Sequence, residues 1–461
     1  MIRLFRVSIP TSVLVLILAE CVLIYACLLA AAWYFLADEL EIFLLYDNGI
    51  ERLGIVVITV MLTFYFQDGY NDFGVRSKLI VIQNCVFALG VSILIQALVA
   101  YLFPGWIAPR WALFFGGLLL CLIFPFWRAA YQRFFLSALG AQSVLFLGAN
   151  SLAQDIAARL NDRPELGMRS LGFVADDAGI EVAALKVLGP VSEFPSIVHE
   201  NRPDCIIVGM TERRQKLPME ELLRLRFAGI RIEEAATTFQ TVFSRVPIRG
   251  LRHSQLIFSS ELGPLPRNLR IQTFYSTVLA AFALAFLAPL MLLVAIAVLV
   301  TSRGPILFRQ TRVGIGGKPF TIYKFRSMRA NAEADTGAVW ASRNDPRVTV
   351  IGGYLRKTRL DELPQLFNVL QREMSIVGPR PERPEFVKTL SELIPFYAHR
   401  HSVKPGITGW AQINYKYGES VEDAIVKLEY ELYYIKNLSP GLDLYVMFHT
   451  LKAMLVSRSG Q

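Results

Sequence analysis

Two adjacent carboxylates, Asp361 and Glu362, lie in a basic stretch and form the side-chain pair best suited to chemistry in this sequence. Arg356, Lys357 and Arg359 precede them directly. A carboxylate surrounded by positive charge stays ionised and can reach a phosphorus atom. Its neighbour can hold Mg²⁺, which prefers oxygen ligands together with substrate phosphates. For the acid pair alone, helix capping combined with surface salt bridges is the alternative.

The residues after the acid pair predict the helix that positions it. Pro364 is tolerated in a first helical turn, where a backbone N–H is not needed. Apolar residues then recur at helical spacing, namely Leu363, Leu366, Phe367 and Leu370. We therefore expect the acid pair at a helix N-terminus, where unpaired N–H groups and the helix dipole favour bound anions.

A second basic segment precedes the acid pair. Residues 301–330 contain seven Lys or Arg and no Asp or Glu. A tight turn is predicted over 314–319, followed by a strand over 320–326. Lys324 and Arg326 in this strand are candidates to hold a diphosphate. For the arginines nearest the membrane, contact with anionic lipid is the alternative.

Two further motifs are suited to binding a polyanion. The turn at 378–381, Gly-Pro-Arg-Pro, is rigid and presents Arg380, whose planar guanidinium matches phosphate oxygens. The segment 404–409 offers Lys404, the Thr408 hydroxyl and glycines that permit close backbone approach. All three side chains are candidates for substrate binding.

The composition indicates a membrane protein. The chain has 461 residues, of which 54% are hydrophobic, and this is too apolar for an ordinary soluble enzyme. Four apolar runs approach or exceed the ~20 residues that cross a bilayer. They cover residues 11–37, 50–67, 79–103 and 110–127.

Loop charges predict the orientation of these spans, because basic loops remain in the cytoplasm. Acidic residues occupy the first loop over 38–47. Basic residues flank the other ends, namely Arg3, Arg6, Arg76, Lys78, Arg128 and Arg133. The N-terminus and everything after residue 128 should therefore be cytoplasmic. The five cysteines show no metal-like or disulfide spacing, which suits a reducing compartment.

Residues 142–250 alternate between strand and helix patterns, which predicts a small parallel sheet. The strands are expected at 143–148, 171–174, 205–208 and 230–233, with a helix at 151–160. In the first turn, Asn150 and Ala153 replace glycines that a dinucleotide fingerprint requires. A structural or regulatory role is therefore favoured over cofactor binding.

A fifth apolar segment, 274–300, is long enough to span the membrane. Basic residues on both sides indicate that both ends stay cytoplasmic, namely Arg267, Arg270, Arg303, Arg309 and Arg312. Pro289 near the middle removes a helical hydrogen bond and kinks the axis. A bent, re-entrant helix satisfies both observations. The alternative, a fifth full span, would leave the charged C-terminal part outside, away from nucleotides.

Four motifs in this order after the kinked helix resemble the bacterial monotopic phosphoglycosyl transferases. They are KFRSM at 324–328, DELPQ at 361–365, VGPRP at 377–381 and KPGITG at 404–409. The chain is most similar to the large exopolysaccharide-priming polyprenyl-phosphate hexose-1-phosphate transferases, and the resemblance covers essentially its whole length.

The resemblance implies a membrane protein of α plus α/β class. Its parts would be a four-helix transmembrane domain (1–135), a degenerate Rossmann-like domain (140–250), a linker (251–270), and a re-entrant helix with an α/β catalytic module (271–461). Relatives often carry serine where Ala288 precedes Pro289. The expected location is the bacterial inner membrane, with several spans and with the soluble domains on the cytoplasmic face.

The resemblance also implies transfer of a sugar 1-phosphate from a UDP-sugar to undecaprenyl phosphate, with release of UMP, as the priming step of exopolysaccharide synthesis. Asp361 would form a covalent phosphosugar intermediate, and Glu362 with Asp361 would hold Mg²⁺. Arg356, Lys324 and Arg380 fall on positions that neutralise phosphates, and Lys404 stands where relatives carry arginine. The resemblance further implies contact with membrane lipids and a homodimer. It implies no nucleic-acid partner.

Two other functions are considered. A non-catalytic membrane scaffold or regulator of polysaccharide assembly would use the basic surface to sense lipid or nucleotide, and it would not need Asp361. A nucleotide-sugar dehydratase or epimerase would use the 142–250 domain with a nicotinamide cofactor. The missing glycines and the absence of a Tyr-x-x-x-Lys pair in that domain argue against this second reading.

Overall fold

The computed structural model describes residues 2–4, 6–67, 69–70, 78–103, 106, 108–131, 134, 141–176, 186–210, 217–248, 263–302, 304–329, 347–415 and 420–456. The predictions for Arg76, Arg133, Arg303 and linker residues 251–262 lie outside these ranges. The chain divides into two compact units. The first comprises Met1–Arg3 and Ser8–Thr238, and the second comprises Leu4–Val7 and Phe239–Gln461.

The apolar N-terminal quarter folds into long helices, as predicted. Two short strands come first, β1 Ile2–Leu4 and β2 Val7–Ile9. The helices that follow are α1 Thr11–Leu36, α2 Leu40–Leu45, α3 Gly49–Phe66, α4 Lys78–Leu102 and α5 Arg110–Ala130. The acidic connection after the first span is itself partly helical, in α2. Apolar side chains including Leu16, Ile24, Leu53 and Phe124 form the buried centre of this bundle.

Length and apolar composition make four of the described helical segments suitable for crossing a membrane. They are Thr11–Leu45, Gly49–Phe66, Arg110–Ala130 and Pro266–Thr301, while α4 contributes a shorter apolar stretch, Val86–Val99. A buried ion pair also lies inside the N-terminal bundle, with Arg128 Nε 2.8 Å from Glu20 Oε1. The Tyr70 hydroxyl donates to Glu20 Oε2 at 2.6 Å. Since ionisable groups are costly in a membrane, this pairing fixes how α1 and α5 meet.

The rest of the first unit contains a five-stranded parallel sheet, which confirms the predicted alternation. Its strands are β3 Gln142–Leu147, β4 Met168–Val174, β5 Val187–Gly189, β6 Cys205–Val208 and β7 Arg231–Glu234, in the order β5-β4-β3-β6-β7. The accompanying helices are α6 Ser151–Asp162, α7 Phe194–Asn201, α8 Met219–Phe227 and α9 Ala235–Phe243. Residues 144–147 of β3 and all four residues of β6 are buried, as expected for a parallel sheet with helices on both faces.

The second unit is organised around one long helix, α10, which spans Pro266–Thr301 and includes Pro289. Near its start Leu269 packs on the apolar cluster of the C-terminal helices. Further along, Ala280 packs with Ile322. Near its end Val298 packs with Phe325. The helix therefore contacts the second unit along its whole length.

The remaining elements of this unit follow α10 in the chain. They are β8 Leu307–Val313, β9 Pro319–Phe325, α11 Val350–Thr358, α12 Gln365–Leu370, β10 Ser375–Val377, α13 Pro384–Leu393, β11 Gly406–Thr408, α14 Trp410–Asn414, α15 Val421–Asn437 and α16 Pro440–Val456. β8 and β9 pair antiparallel, and β10 pairs parallel with β11. The predicted strand over 320–326 is confirmed. At the start of α15, Ser420 and Asp423 form a reciprocal capping box.

Candidate active site

Asp361 and Glu362 lie together in a single 3-10 turn, Leu360–Glu362, between α11 and α12. Both are buried, with 7% and 8% of their surface exposed. Arg359 enters the turn with a φ of 58°, and this left-handed conformation ends α11. Helix α12 begins one residue after Pro364, so the proline precedes the helix rather than lying in its first turn. The predicted position of the acids beside a helix start is otherwise confirmed.

Asn368 fixes this acid turn against strand β9. Its side chain is fully buried, and its Oδ1 accepts from the Tyr323 N–H at 3.2 Å. Its Nδ2 donates to the Thr321 carbonyl at 2.7 Å. These bonds lock α12 to the strand that carries Lys324. The sequence pattern predicts only a helix here and does not indicate the role of Asn368.

Two cations converge on Glu362. Lys324 Nζ lies 2.8 Å from Glu362 Oε1, and Arg380 Nη2 lies 3.0 Å from the same oxygen. Although burial opposes ionisation, Lys324 and Arg380 hold the pKa of the Glu362 carboxyl well below its usual range. Glu362 is therefore a fixed negative charge at neutral pH. Every hydrogen bond that the described residues donate to its carboxylate ends on Oε1.

Asp361 has a different environment, although it is the adjacent residue. Within the described parts of the chain, no hydrogen bond to its carboxylate is found. Burial, opposed by Lys324 and reinforced by Glu362, raises the pKa of Asp361 to about 6. Arg356 and Arg380 also favour its charged form. Asp361 is thus ionised at neutral pH and not engaged by a side-chain donor, as a nucleophile requires.

The turn that presents Arg380 is held by side chains bonded to its backbone carbonyls. Arg400 Nη2 donates to the Arg380 carbonyl at 2.8 Å, and Arg312 Nη1 donates to the Pro381 carbonyl at 2.9 Å. The glycines predicted to allow close approach do so between two backbone segments. A Cβ atom at Gly406 would lie 2.1 Å from the Gly378 nitrogen.

Arg400 is itself held by a buried ion pair that the sequence analysis missed. Its Nε and Nη2 bind the two oxygens of Glu431 at 2.8 and 2.7 Å, and Nη1 donates to the Tyr397 hydroxyl at 2.8 Å. One signal was available in the sequence. Glu431 lies on the stripe of α15 that also carries Leu428 and Leu432, where an acid must find a buried partner.

A second polar network supports the start of the same turn and was also missed. Gln272 on α10 donates to Asp443 Oδ2 at 2.7 Å, and Tyr434 donates to Asp443 Oδ1 at 2.7 Å. Both donors also lie 3.2 Å from the Val377 carbonyl, and the Tyr275 hydroxyl donates to Asp443. The apolar helix α10 is therefore connected to the residue immediately before the Arg380 turn.

Three predicted substrate residues form their hydrogen bonds away from Glu362. Arg326 Nη2 donates to the Ser302 carbonyl at 2.6 Å. Lys404 Nζ donates to the Thr273 hydroxyl at 3.2 Å. The Thr408 and Thr450 hydroxyls share a hydrogen bond of 2.7 Å. Of the predicted cations, the structure therefore joins only Lys324 and Arg380 to Glu362 directly among the described residues.

The acid pair suits a hard cation that completes its coordination with substrate. No group of three or more metal-ligating side chains occurs in the described ranges. Asp361 and Glu362 Oε2 nevertheless supply carboxylate oxygens free of side-chain donors. Mg²⁺ is commonly bound by one or two carboxylates plus substrate phosphates. The donor set therefore fits the expected Mg²⁺.

Comparisons with known proteins identify similar chains. The family profile described as bacterial sugar transferase matches residues 267–457. The UDP-glucose:undecaprenyl-phosphate glucose-1-phosphate transferase of Xanthomonas campestris pv. campestris is 32% identical over 404 residues, covering 83% of this chain and 81% of that protein. The enzyme of the same name from Klebsiella pneumoniae is 34% identical over 322 residues, covering 68% of each chain.

A third relative has a different sugar in its name. The UDP-N-acetylgalactosamine-undecaprenyl-phosphate N-acetylgalactosaminephosphotransferase of Aeromonas hydrophila is 42% identical over 234 residues. The match covers 51% of this chain and 54% of that protein, so the chain spans about half the length of this relative. All three names give undecaprenyl phosphate as the acceptor, whereas two give glucose as the sugar and one gives N-acetylgalactosamine.

Proposed function

Because this chain belongs to the bacterial sugar transferase family, as its motifs predicted, we propose that it transfers a sugar 1-phosphate from a UDP-sugar to undecaprenyl phosphate, releasing UMP. Its kinship with the polyprenyl-phosphate hexose-1-phosphate transferases, and with it the prediction of an enzyme, is confirmed. One observation carries the proposal. Glu362 is neutralised by Lys324 and Arg380, whereas Asp361 accepts no hydrogen bond from a described residue.

In the first step, a carboxylate oxygen of Asp361 attacks the phosphorus that bears the sugar. The bond between that phosphorus and the oxygen bridging to UMP breaks, and UMP leaves with the electron pair. Phosphoryl transfer depends mainly on positioning and charge neutralisation. Arg380 and Lys324, whose bonds to Glu362 hold them beside Asp361, would neutralise the donor phosphates.

In the second step, an oxygen of undecaprenyl phosphate attacks the phosphorus of the aspartyl-phosphosugar. The bond to Asp361 breaks and its carboxylate is restored, so that the enzyme returns to its starting state. Splitting one difficult transfer into two easier ones is the general advantage of a covalent intermediate. Glu362 and Asp361 would hold Mg²⁺, which neutralises phosphate charge when bound.

We further propose that α10 enters the membrane and returns to the same, cytoplasmic face, bending at Pro289. Its 36 residues, at about 1.5 Å each, exceed the hydrocarbon core of about 30 Å. Leu284, before Pro289, and Val294, after it, both pack on other elements of the second unit. Several of its other apolar side chains are more than half exposed and suit lipid contact, namely Phe274, Phe282, Phe286, Leu293 and Val300.

A reporter fused to the C-terminus tests this topology. With a re-entrant α10 in an inner-membrane protein of four spans, the reporter is expected to be cytoplasmic. A periplasmic signal would establish a fifth span instead. The homodimer that the family resemblance implies stays a prediction.

For the parallel-sheet domain we propose a Rossmann-like fold with a structural or regulatory role. The strand order β5-β4-β3-β6-β7 is that of a doubly wound nucleotide-binding sheet. However, Asn150 Oδ1 accepts from the Ala153 N–H at 2.9 Å, at the helix start where a pyrophosphate would be bound. Met210 also packs closely, since a Cβ at Gly148 would lie 2.7 Å from Met210 Cγ.

Intact-protein mass spectrometry tests the proposed reaction. The protein is incubated with Mg²⁺ and a panel of UDP-sugars, without polyprenyl phosphate. A sugar-phosphate adduct on the wild type but not on Asp361→Asn, with UMP released, is expected and would also identify the sugar. If folded protein forms no adduct but releases UMP once undecaprenyl phosphate is added, transfer is direct. If neither occurs with any donor, a scaffold function replaces the enzymatic one.

A further inference from the structure

The guanidinium of Arg326 is buried but only partly bonded. Arg326 is 5% exposed, and its Nη2 donates to the carbonyl and the hydroxyl of Ser302 at 2.6 and 2.8 Å. Its Nε and Nη1 groups are buried without a hydrogen-bond acceptor in the described structure. Buried donors without partners are rare, and each one calls for an explanation such as an absent ligand. An anion bound at either group would supply the missing acceptor.

Arg326 lies where the apolar helix α10 ends. Ser302 is the residue immediately after α10, and its contacts to Arg326 anchor the guanidinium at the carbonyl end of that helix, where positive charge is favoured. Phe325, the residue before Arg326, packs with Val294 and Val298 of α10. An anion bound here would therefore lie beside the surface that the proposed topology places in lipid.

The apolar cluster that contains Phe325 also contacts the turn that carries the acid pair. Leu360 and Leu363, which flank the acid pair, pack in the cluster that contains Phe325. Lys324, two residues before Arg326, reaches Glu362. One short stretch of strand β9 and its continuation thus supplies one cation to the acid pair and another beside α10.

The cations at Glu362 have a carboxylate partner, whereas the cation beside α10 has none among the described residues. Lys324 and Arg380 share the carboxylate of Glu362, whereas Arg326 has no carboxylate within salt-bridge distance among the described residues. A phosphate monoester offers three oxygens and up to two negative charges, and the Nε or the Nη1 group of Arg326 can donate a charge-assisted hydrogen bond to one of those oxygens. Arg326 is therefore suited to a second phosphate, separate from those neutralised at Glu362.

We propose that Arg326 binds the phosphate of the lipid acceptor, with the apolar chain of that lipid lying along α10. This inference rests on the proposed transfer reaction and assigns its two substrates to different cations. The donor diphosphate would be neutralised by Lys324 and Arg380, and the acceptor phosphate would be bound by Arg326. The phosphates of the nucleotide donor are the other source of the same ligand chemistry, and the experiment separates the two.

Steady-state kinetics on the full-length protein, with UDP-sugar and undecaprenyl phosphate varied separately, tests the assignment. Arg326→Lys keeps the charge but removes the Nε and Nη1 donors and the anchored planar guanidinium, so the KM for undecaprenyl phosphate should rise about tenfold or more. The KM for UDP-sugar should stay within about threefold, because the donor cluster is unchanged. Arg329→Lys, at an exposed arginine of the same segment, is the matched control and should leave both KM values unchanged.

Direct binding separates this inference from the transfer reaction itself. Asp361→Asn protein is titrated with undecaprenyl phosphate or with undecaprenol, and bound lipid is counted by native mass spectrometry. Adding Arg326→Lys should weaken binding of the phosphate about tenfold without affecting the alcohol. This result holds even if wild-type protein forms no product, in which case the transfer reaction fails and the lipid-phosphate site stands.

Other outcomes overturn the assignment. A raised KM for UDP-sugar with unchanged acceptor KM would assign Arg326 to the nucleotide phosphates. Unchanged KM values in folded Arg326→Lys protein would leave a structural role only. If that variant does not fold, Ser302→Ala decides, because it removes one of the two anchors of the guanidinium. Its acceptor KM should rise about threefold, and an unchanged value would refute the site.

Discussion

Two buried clusters of the second unit combine cations and carboxylates in different ratios. Around Glu362, Lys324 and Arg380 bind a single oxygen, and the neighbouring Asp361 accepts no hydrogen bond from the described residues. Around Glu431, a single guanidinium, that of Arg400, binds both oxygens. The cluster around Glu362, the open cluster, therefore has carboxylate oxygens that can still bind a ligand. The pair Arg400–Glu431, the closed pair, has both carboxylate oxygens occupied.

The difference shows how one cluster serves chemistry and the other serves position. Despite burial, Glu431 raises the pKa of Arg400, so this guanidinium stays charged and holds the Arg380 carbonyl. A closed pair contributes little net stability, but it is costly to break. The open cluster can exchange its internal ion pairs for phosphate oxygens. Variants in the two clusters should accordingly separate loss of activity from loss of stability.

The largest effect on activity is expected from Asp361→Asn in the open cluster. The change is nearly isosteric but removes the nucleophile, so turnover should fall about a thousandfold or more. Turnover is measured as UMP release, and folding is checked by the thermal midpoint in detergent. Glu385→Gln, at an exposed acid of the same unit, should retain wild-type turnover. Activity above a few per cent would remove Asp361 as the nucleophile.

The largest effect on stability is expected from Arg400→Ala in the closed pair. Removing the guanidinium leaves Glu431 buried and unpaired, which should lower the free energy of unfolding by about 3–5 kcal/mol. Denaturation in detergent measures this loss. Replacing both partners, as in Arg400→Met with Glu431→Leu, should recover most of the stability but not the position of Arg380. A single variant as stable as the wild type would contradict this interpretation of the pair.

Arg380→Ala should show the reverse pattern to Arg400→Ala. Losing one electrostatic donor should lower kcat/KM for UDP-sugar by a factor that corresponds to ~2–4 kcal/mol of transition-state stabilisation. Stability should change little, because Glu362 keeps Lys324 and the Arg380 side chain is 30% exposed. Lys388→Ala, at an exposed residue of α13, is the control. Wild-type kinetics in Arg380→Ala would exclude this arginine from the site.

A smaller effect is expected from pH, and it should appear in the first step of the reaction. Asp361 attacks only when ionised, and its pKa is raised to about 6. The ionised fraction therefore falls as the pH drops through this value, and adduct formation should slow about tenfold between pH 7 and pH 5. Quenched-flow mass spectrometry measures the rate, with circular dichroism to confirm folding at each pH. A rate that is unchanged down to pH 5 would show an ordinary pKa.

The smallest effect is expected from Thr408→Val, which lies in neither cluster. Its hydroxyl bonds to Thr450, so the substitution should cost about 1 kcal/mol of stability. The kcat/KM value should stay within about threefold of wild type, because loss of this bond leaves both clusters intact. A large rise in the KM for UDP-sugar would instead support the sequence-based assignment of Thr408 to substrate binding.

Local sequence patterns determined most of the secondary structure. The strand over 205–208 has the predicted bounds, and the helix predicted over 151–160 is α6, Ser151–Asp162. These features depend on residues only a few positions apart, so neighbouring side chains specify them without the rest of the fold. Motif resemblance also identified Asp361, Glu362, Lys324 and Arg380, which the structure brings together.

The tertiary structure alone decided which polar groups meet across long separations in sequence. Gln272 and Asp443 are 171 residues apart, and Arg400 and Glu431 are 31 apart. Likewise, Lys324 and Arg326 have the same charge and lie two residues apart, yet one contacts Glu362 and the other Ser302. A charge pattern specifies that a buried group needs a partner. Which partner it finds depends on how distant segments pack.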